Sequence, residues 1–97
     1  MLGKLGAAVV PHEKALVERA TKDDVWEVRG VAVTTLGSFG SSASPNVVKA
    51  IADRAENDVN GNVRINAIQA LENLQAAGAK LDGKATKAIE AAKAKNR

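Results

Sequence analysis

Apolar residues recur along this chain at helical spacing. Val48, Ile51, Ala52 and Ala55 stand at i, i+3, i+4 and i+7, which lays them on one face of an amphipathic helix. Val63, Ala67, Ala70, Leu71 and Leu74 make a second stripe, Val28, Ala32, Thr35, Leu36 and Phe39 a third, and Leu16, Val17 and Ala20 a shorter one. Start signals precede each stripe. Ser44-Pro45 combines a side chain that accepts from first-turn amides with a residue suited to the first helical position. Asn60 is placed to cap the helix after the turn at 57–60, and Asp24 with Glu27 three residues on has the form of a capping box. Pro11 opens the first helix of the set. The pattern predicts paired helices and no strand.

The pairs repeat. A shift of 35 positions lays Ala15-Leu16 on Ala50-Ile51, Arg19-Ala20 on Arg54-Ala55, Asp23 on Asp58, Val28-Arg29 on Val63-Arg64, Ala32 on Ala67, Val33 on Ile68, Leu36 on Leu71 and Phe39 on Leu74. Self-similarity at such a period marks a stacked-repeat architecture, in which each unit buries its apolar face against its neighbours. One repeat is expected at about 11–40 and the next at about 45–77, followed by a basic helix at about 83–97 beyond the looser joint AAGAKLDG (76–83). MLGKLG at 1–6 echoes TLGSFG at 35–40 and reads as the end of a preceding repeat. Lys87-Ala88-Ile89 echoes Lys49-Ala50-Ile51, but no third Val-Arg follows.

The repeated motif is Asp, Val-Arg with its Arg six positions on, Ala three beyond the Arg and Leu seven beyond it. It occurs as Asp23, Val28-Arg29, Ala32, Leu36 and as Asp58, Val63-Arg64, Ala67, Leu71. It resembles HEAT repeats, specifically the short phycobilin-lyase-like type. The resemblance implies an all-α solenoid, a right-handed superhelix of about five helices with two complete pairs and a partial repeat at each end. It also implies that Asp23, Arg29, Asp58 and Arg64 form a hydrogen-bonded ladder between repeats. An Arg between helices needs such pairing, and its planar fork suits a carboxylate or helix-end carbonyls. Arg64→Ala is accordingly expected to lower thermal stability clearly. Gly30, inside a helix, departs from the pattern at about 1 kcal/mol relative to Ala and suggests close packing or a close-approaching partner.

Composition narrows the chemistry. Aromatics are only Trp26 and Phe39, so the core is built from small side chains. No Cys is present for a disulfide or a thiolate. No apolar run reaches the roughly 18 residues of a membrane helix, and the N-terminal apolar stretch is broken at Pro11-His12-Glu13, unlike a secretory signal; a cytoplasmic setting is the expectation. The net charge of +3 divides unevenly: residues 1–79 carry eight Lys/Arg and nine Asp/Glu, and residues 80–97 carry six and two. The single His12 has no second His at metal-ligand spacing and reads as a packed helix-start residue. No nucleophile–base set is in view, Gly37, Gly40 and Gly61 do not form a phosphate loop, and Asp23-Asp24 reads as a ladder residue beside a cap. The expectation is no catalysis, no metal and no cofactor.

Binding remains. In stacks of the kind this chain resembles, the second helices line the concave face. Trp26, Val31, Thr34, Asn62, Ile65, Asn66, Gln69 and Asn73 occupy its off-core positions, with Glu27 and Gly30. An amide-rich, nearly uncharged surface of this kind suits a peptide or protein partner, with Trp26 as an anchor. Self-association through open solenoid ends is a further possibility. Two alternatives stand beside the scaffold reading. One is an accessory helical domain of a larger enzyme, resembling those of some zinc aminopeptidases. The other is nucleic-acid binding through the tail KATKAIEAAKAKNR, disfavoured because a grip on phosphates needs cations spread over a folded groove.

Overall fold

The computed structural model describes the backbone of residues 13–95, and five α-helices with no strand lie among the described residues. They are α1 (13–22), α2 (Trp26–Gly37), α3 (Pro45–Asn57), α4 (Gly61–Ala76) and α5 (Gly83–Lys95), with a 3-10 turn at Gly40–Ser42 between α2 and α3. Residues 1–12, which carry the 1–6 echo, Pro11 and His12, lie outside the described residues, as do Asn96 and Arg97.

Local chemistry sets most of these boundaries. Ser44 Oγ accepts from the Val47 amide at 3.3 Å with Pro45 at the first position of α3. Asn60 Oδ1 accepts from the amides of Asn62 (2.8 Å) and Val63 (3.3 Å) at the head of α4. Asp82 Oδ1 takes the Ala85 amide at 2.8 Å to open α5. α4 ends at a left-handed Gly78 (φ 93°), with the Ala79 amide reaching back to the Leu74 carbonyl at 2.9 Å; glycine adopts that conformation without a Cβ clash.

The entry to α2 differs from its expected capping box. Val25 holds the N-cap position and makes no side-chain bond, and Asp24 is exposed. Asp23 Oδ1 instead accepts from the Val25 amide at 2.9 Å. Asp58 does the same for the Asn60 amide at 2.9 Å ahead of α4. The turn is thus held by the first aspartate of the pair, the one that aligns between repeats, and Asp24 is left to solvent.

The helices form two layers. α3 packs beside α5 in one, α2 beside α4 in the other, and α3 pairs with α4 across them. The fully enclosed core runs through Val33, Leu36, Val47, Ile51, Val63, Leu71 and Leu74, filled out by Ala20, Ala32, Ala52, Ala67, Ala70 and Ala85. Leu16 and Val17 of α1 pack against it, half-buried. All five residues of the α4 stripe are buried. On α2 the stripe is only part of the buried surface: Ala32 and Leu36 are enclosed and Val28 and Thr35 partly so, while Arg29, Gly30, Val33 and Gly37 are buried as well. The reason is positional. α2 has a neighbour in the next repeat: Asp58, in the turn before α4, takes Arg29, and Asn66 and Ala70 of α4 lie over Gly30 and Gly37. A Cβ on Gly37 would fall 2.7 Å from Ala70 Cβ and 2.9 Å from Ala70 Cα, so the two helices cross almost backbone to backbone.

Candidate interaction site

Asp58, in the turn between α3 and α4, is the most enclosed charge among the described residues, at 2% exposure. Arg29, in the first turn of α2, grips it bidentately: Nε donates to Oδ2 at 2.9 Å and Nη2 to Oδ1 at 3.0 Å. The third edge of Arg29 is held too, Nη1 donating to the Asp23 carbonyl at 2.8 Å. Arg54, one turn back on α3, donates Nη1 to Asp58 Oδ2 at 3.2 Å and Nη2 to Asp53 Oδ2 at 2.6 Å. Two arginines and two aspartates therefore form a charge cluster between the repeats, with Lys84 Nζ 3.6 Å from Asp53 Oδ1 and buried Arg54 Nε left without a hydrogen-bond partner.

Arg54 was not among the expected ladder residues. Its signal was present: Arg19 precedes Asp23 by four, as Arg54 precedes Asp58 by four, in aligned positions of both repeats, the spacing of helical neighbours. Arg64 shares only half of Arg29's geometry. Its Nη1 donates to the Asp58 carbonyl at 2.6 Å, just as Arg29 does to the Asp23 carbonyl, but Arg64 is exposed and no carboxylate lies on its other edge among the described residues. Among the described residues one complete rung joins the repeats, and the loss expected for Arg64→Ala shrinks to that of an exposed hydrogen bond, about 1 kcal/mol. Thermal melting checks this.

Burial alone would push the Asp58 carboxyl up, but the Arg29 hydrogen bonds, the Asn60 amide and Arg54 together hold it below the ordinary carboxylate range. The Arg54 and Asn57 hydrogen bonds lower Asp53 as well. A depressed folded pKa stabilises above the unfolded value and stops doing so as pH falls through the folded one. The melting temperature is therefore expected to stay level down to about pH 5 and to fall steeply below about pH 4, near the unfolded carboxylate value. Asp58→Asn should start lower and show a flatter acid limb; a limb as steep as the parent's would show that this cluster does not govern acid stability.

The off-core residues of the second helices separate into two places. Trp26, Val31 and Thr34 of α2 meet Asn66 of α4 in a shallow groove of about 330 Å³, together with Glu27, Gly30 and Thr35. Trp26 is 37% exposed and Val31 67%. The Asn66 amide lies over Gly30, its Nδ2 3.0 Å from where a Cβ would sit, and makes no hydrogen bond among the described residues. Gly30 thus accommodates a neighbouring side chain of the same chain. Ile65 and Gln69 point the other way, into a second groove between α4 and α5. Asn62 and Asn73 are exposed outside both grooves, Asn73 accepting from Gln69 Nε2 at 3.2 Å. Helical geometry explains the split: each residue turns about 100° from the last, so Ile65 and Asn66 face opposite neighbours. Periodicity shows which residues leave the core, but not which neighbour they then meet.

Among the described residues no cluster of three His, Cys, Asp or Glu side chains is placed to hold a metal ion, and no helix is long and apolar enough to cross a membrane. Comparisons with curated proteins and with solved structures returned no match. A family model described as HEAT repeats matches residues 2–94, almost the whole chain. With paired helices stacked at a period of 35 residues and joined by an arginine–aspartate rung, the chain belongs to the HEAT-repeat family.

Proposed function

We propose that this chain is a non-catalytic interaction module that takes a peptide or a protein loop in the groove between α2 and α4. The observation that carries the reading is the meeting of exposed Trp26 and Val31 with the open amide of Asn66 in that groove. An aromatic anchor beside an amide that offers both donor and acceptor suits a peptide, with apolar contact giving affinity and the amide giving register. HEAT repeats commonly mediate protein–protein interaction, which supports the same choice. Glu27 is the one charged residue lining the groove, and a carboxylate there disfavours phosphate, so a protein partner is preferred to nucleic acid. The spacing of Asp, Val-Arg, Ala and Leu in both repeats supports placing the chain with the short phycobilin-lyase-like type.

Trp26 is the sole tryptophan, so its emission reports on the groove. Peptides selected by display against the folded chain are expected to shift Trp26 emission to the blue. Val31→Asp and Asn66→Ala are expected to weaken those peptides about tenfold or more. As surface changes they should move stability by no more than about 0.5 kcal/mol. Peptides that bind tightly, leave Trp26 emission unchanged and tolerate Val31→Asp would place recognition elsewhere.

A further inference from the structure

The groove between α4 and α5, about 820 Å³, has a wall that the chain itself explains. Ala55 and Glu56 of α3 line the groove, and its α4 side, beside Gly61 and Gln69, carries Arg64, Ile65, Ile68 and Glu72. Thirty-five positions earlier these are Arg29, Gly30, Val33 and Gly37, the flank of α2 that α4 covers. Among the described residues the corresponding flank therefore occurs twice, covered by a helix on α2 and open on α4, where Ile65 and Glu72 replace the two glycines. The α5 side adds Ala88, Ala91 and Ala92 behind Lys87.

Arg64 is set for the same use as Arg29. Its Nη1 is tied to the Asp58 carbonyl as that of Arg29 is to the Asp23 carbonyl, which orients the planar fork. The Nε and Nη2 edge, with which Arg29 holds the Asp58 carboxylate, has no hydrogen-bond acceptor in Arg64 among the described residues. We propose that the α4/α5 groove binds one amphipathic helix of a partner protein, parallel to α4, which presents a carboxylate just ahead of its first turn to Arg64.

The covered copy of the face states what that helix must look like. In α4 the residues that follow Asp58 into the buried stripe are Val63, Ala67, Ala70 and Leu71, at 5, 9, 12 and 13 positions beyond it. The ligand carries apolar residues at the same offsets. Two requirements change. Asn66 lies over Gly30 and Ala70 meets Gly37 in the covered copy, and the open copy has Ile65 and Glu72 in the places of the two glycines. Ile65 and Glu72 therefore hold an entering helix farther from α4 than α4 stands from α2, and across that wider gap a lysine at the twelfth position would pair with Glu72. The partner helix is thus acidic at its head and basic about three turns along, the complement of Arg64 and Glu72. An apolar groove between two helices receives a third by ridge-into-groove packing, and the two charges set its direction and register. This inference is independent of the Trp26 groove.

The test uses the full chain and a labelled peptide with the sequence of residues 58–76 carrying Asn66→Ala and Ala70→Lys. Saturable binding is expected by fluorescence polarisation. Removing the head carboxylate (Asp58→Asn in the peptide) and making Arg64→Gln in the protein should each weaken it about tenfold, and together little more than either alone, as for a coupled pair. The peptide with alanine at position 70 should bind more weakly than the lysine peptide, and Glu72→Gln in the protein should erase that difference; this arm stands whether or not Arg64→Gln folds. Trp26→Ala should leave the affinity unchanged, which separates failure here from failure of the α2/α4 reading. The proposal is overturned by equal binding to Arg64→Gln, by amide shifts spread over α2 and α3 (which would mean that the peptide displaces α4), or by no saturation at millimolar peptide.

Discussion

Asp58→Ala is expected to be among the most damaging single substitutions in this chain, lowering unfolding free energy by about 3–5 kcal/mol, the usual result of removing one partner from a buried ion pair. The carboxylate accepts from Arg29 twice, from Arg54 once and from the Asn60 amide. Without it the buried guanidinium of Arg29 keeps only the Asp23 carbonyl, and Arg54 keeps only Asp53. A domain of this size is stable by about 5–15 kcal/mol, so a large part of the total goes with one residue. The loss reflects stranded charge rather than the strength of the pair. Replacing Arg29, Arg54 and Asp58 together by apolar residues of similar volume is therefore expected to cost less than Asp58→Ala alone. Urea unfolding followed by circular dichroism distinguishes the two; a loss below about 1 kcal/mol for Asp58→Ala would mean that the cluster is far wetter than its 2% exposure implies.

Gly37→Val is the second severe case. The added Cβ alone falls 2.7 Å from Ala70 Cβ and 2.9 Å from Ala70 Cα. Ala70 is backbone and a methyl group, with no flexible end to swing aside, so α2 and α4 must separate along their contact. Overpacking of this kind costs about 1–3 kcal/mol and sometimes more, and the branched side chain adds to it. Ala70→Gly in the same molecule should recover part of the loss, because it removes the methyl that is struck first. Gly30→Ala is the contrasting control. Its Cβ meets only the end of the Asn66 side chain, at 3.0 Å, which can move by a few tenths of an ångström. The helix propensity of alanine over glycine, about 1 kcal/mol, then offsets the adjustment, and stability should change little. Two glycines seven residues apart on one helix thus have opposite predicted tolerance, and what separates them is the atom each faces.

Much of this architecture could be read from local patterns because local interactions determine it. Ser44-Pro45 and Asn60 start their helices through hydrogen bonds spanning two or three residues. The stripe of α4 is buried in full because a helix with apolar residues on one face has one way to remove them from water. Asp24 was misread for a local reason as well: two adjacent aspartates are equivalent cap candidates, and the choice between them turns on Asp23, whose carbonyl is also claimed by Arg29.

By itself, then, the sequence determined the helices, their pairing, their period of 35 residues and the residue types that join one repeat to the next. Only the tertiary structure decided that Arg29 is enclosed while Arg64 stands open, that Arg54 shares Asp58, that Gly37 touches backbone and Gly30 a side chain, and that Ile65 and Asn66 serve different grooves. The physical reason is common to all four. Periodicity records how each residue stands to its own helix axis, whereas burial, charge pairing and clearance depend on which second helix lies alongside, and equivalent residues in the two repeats do not have equivalent neighbours.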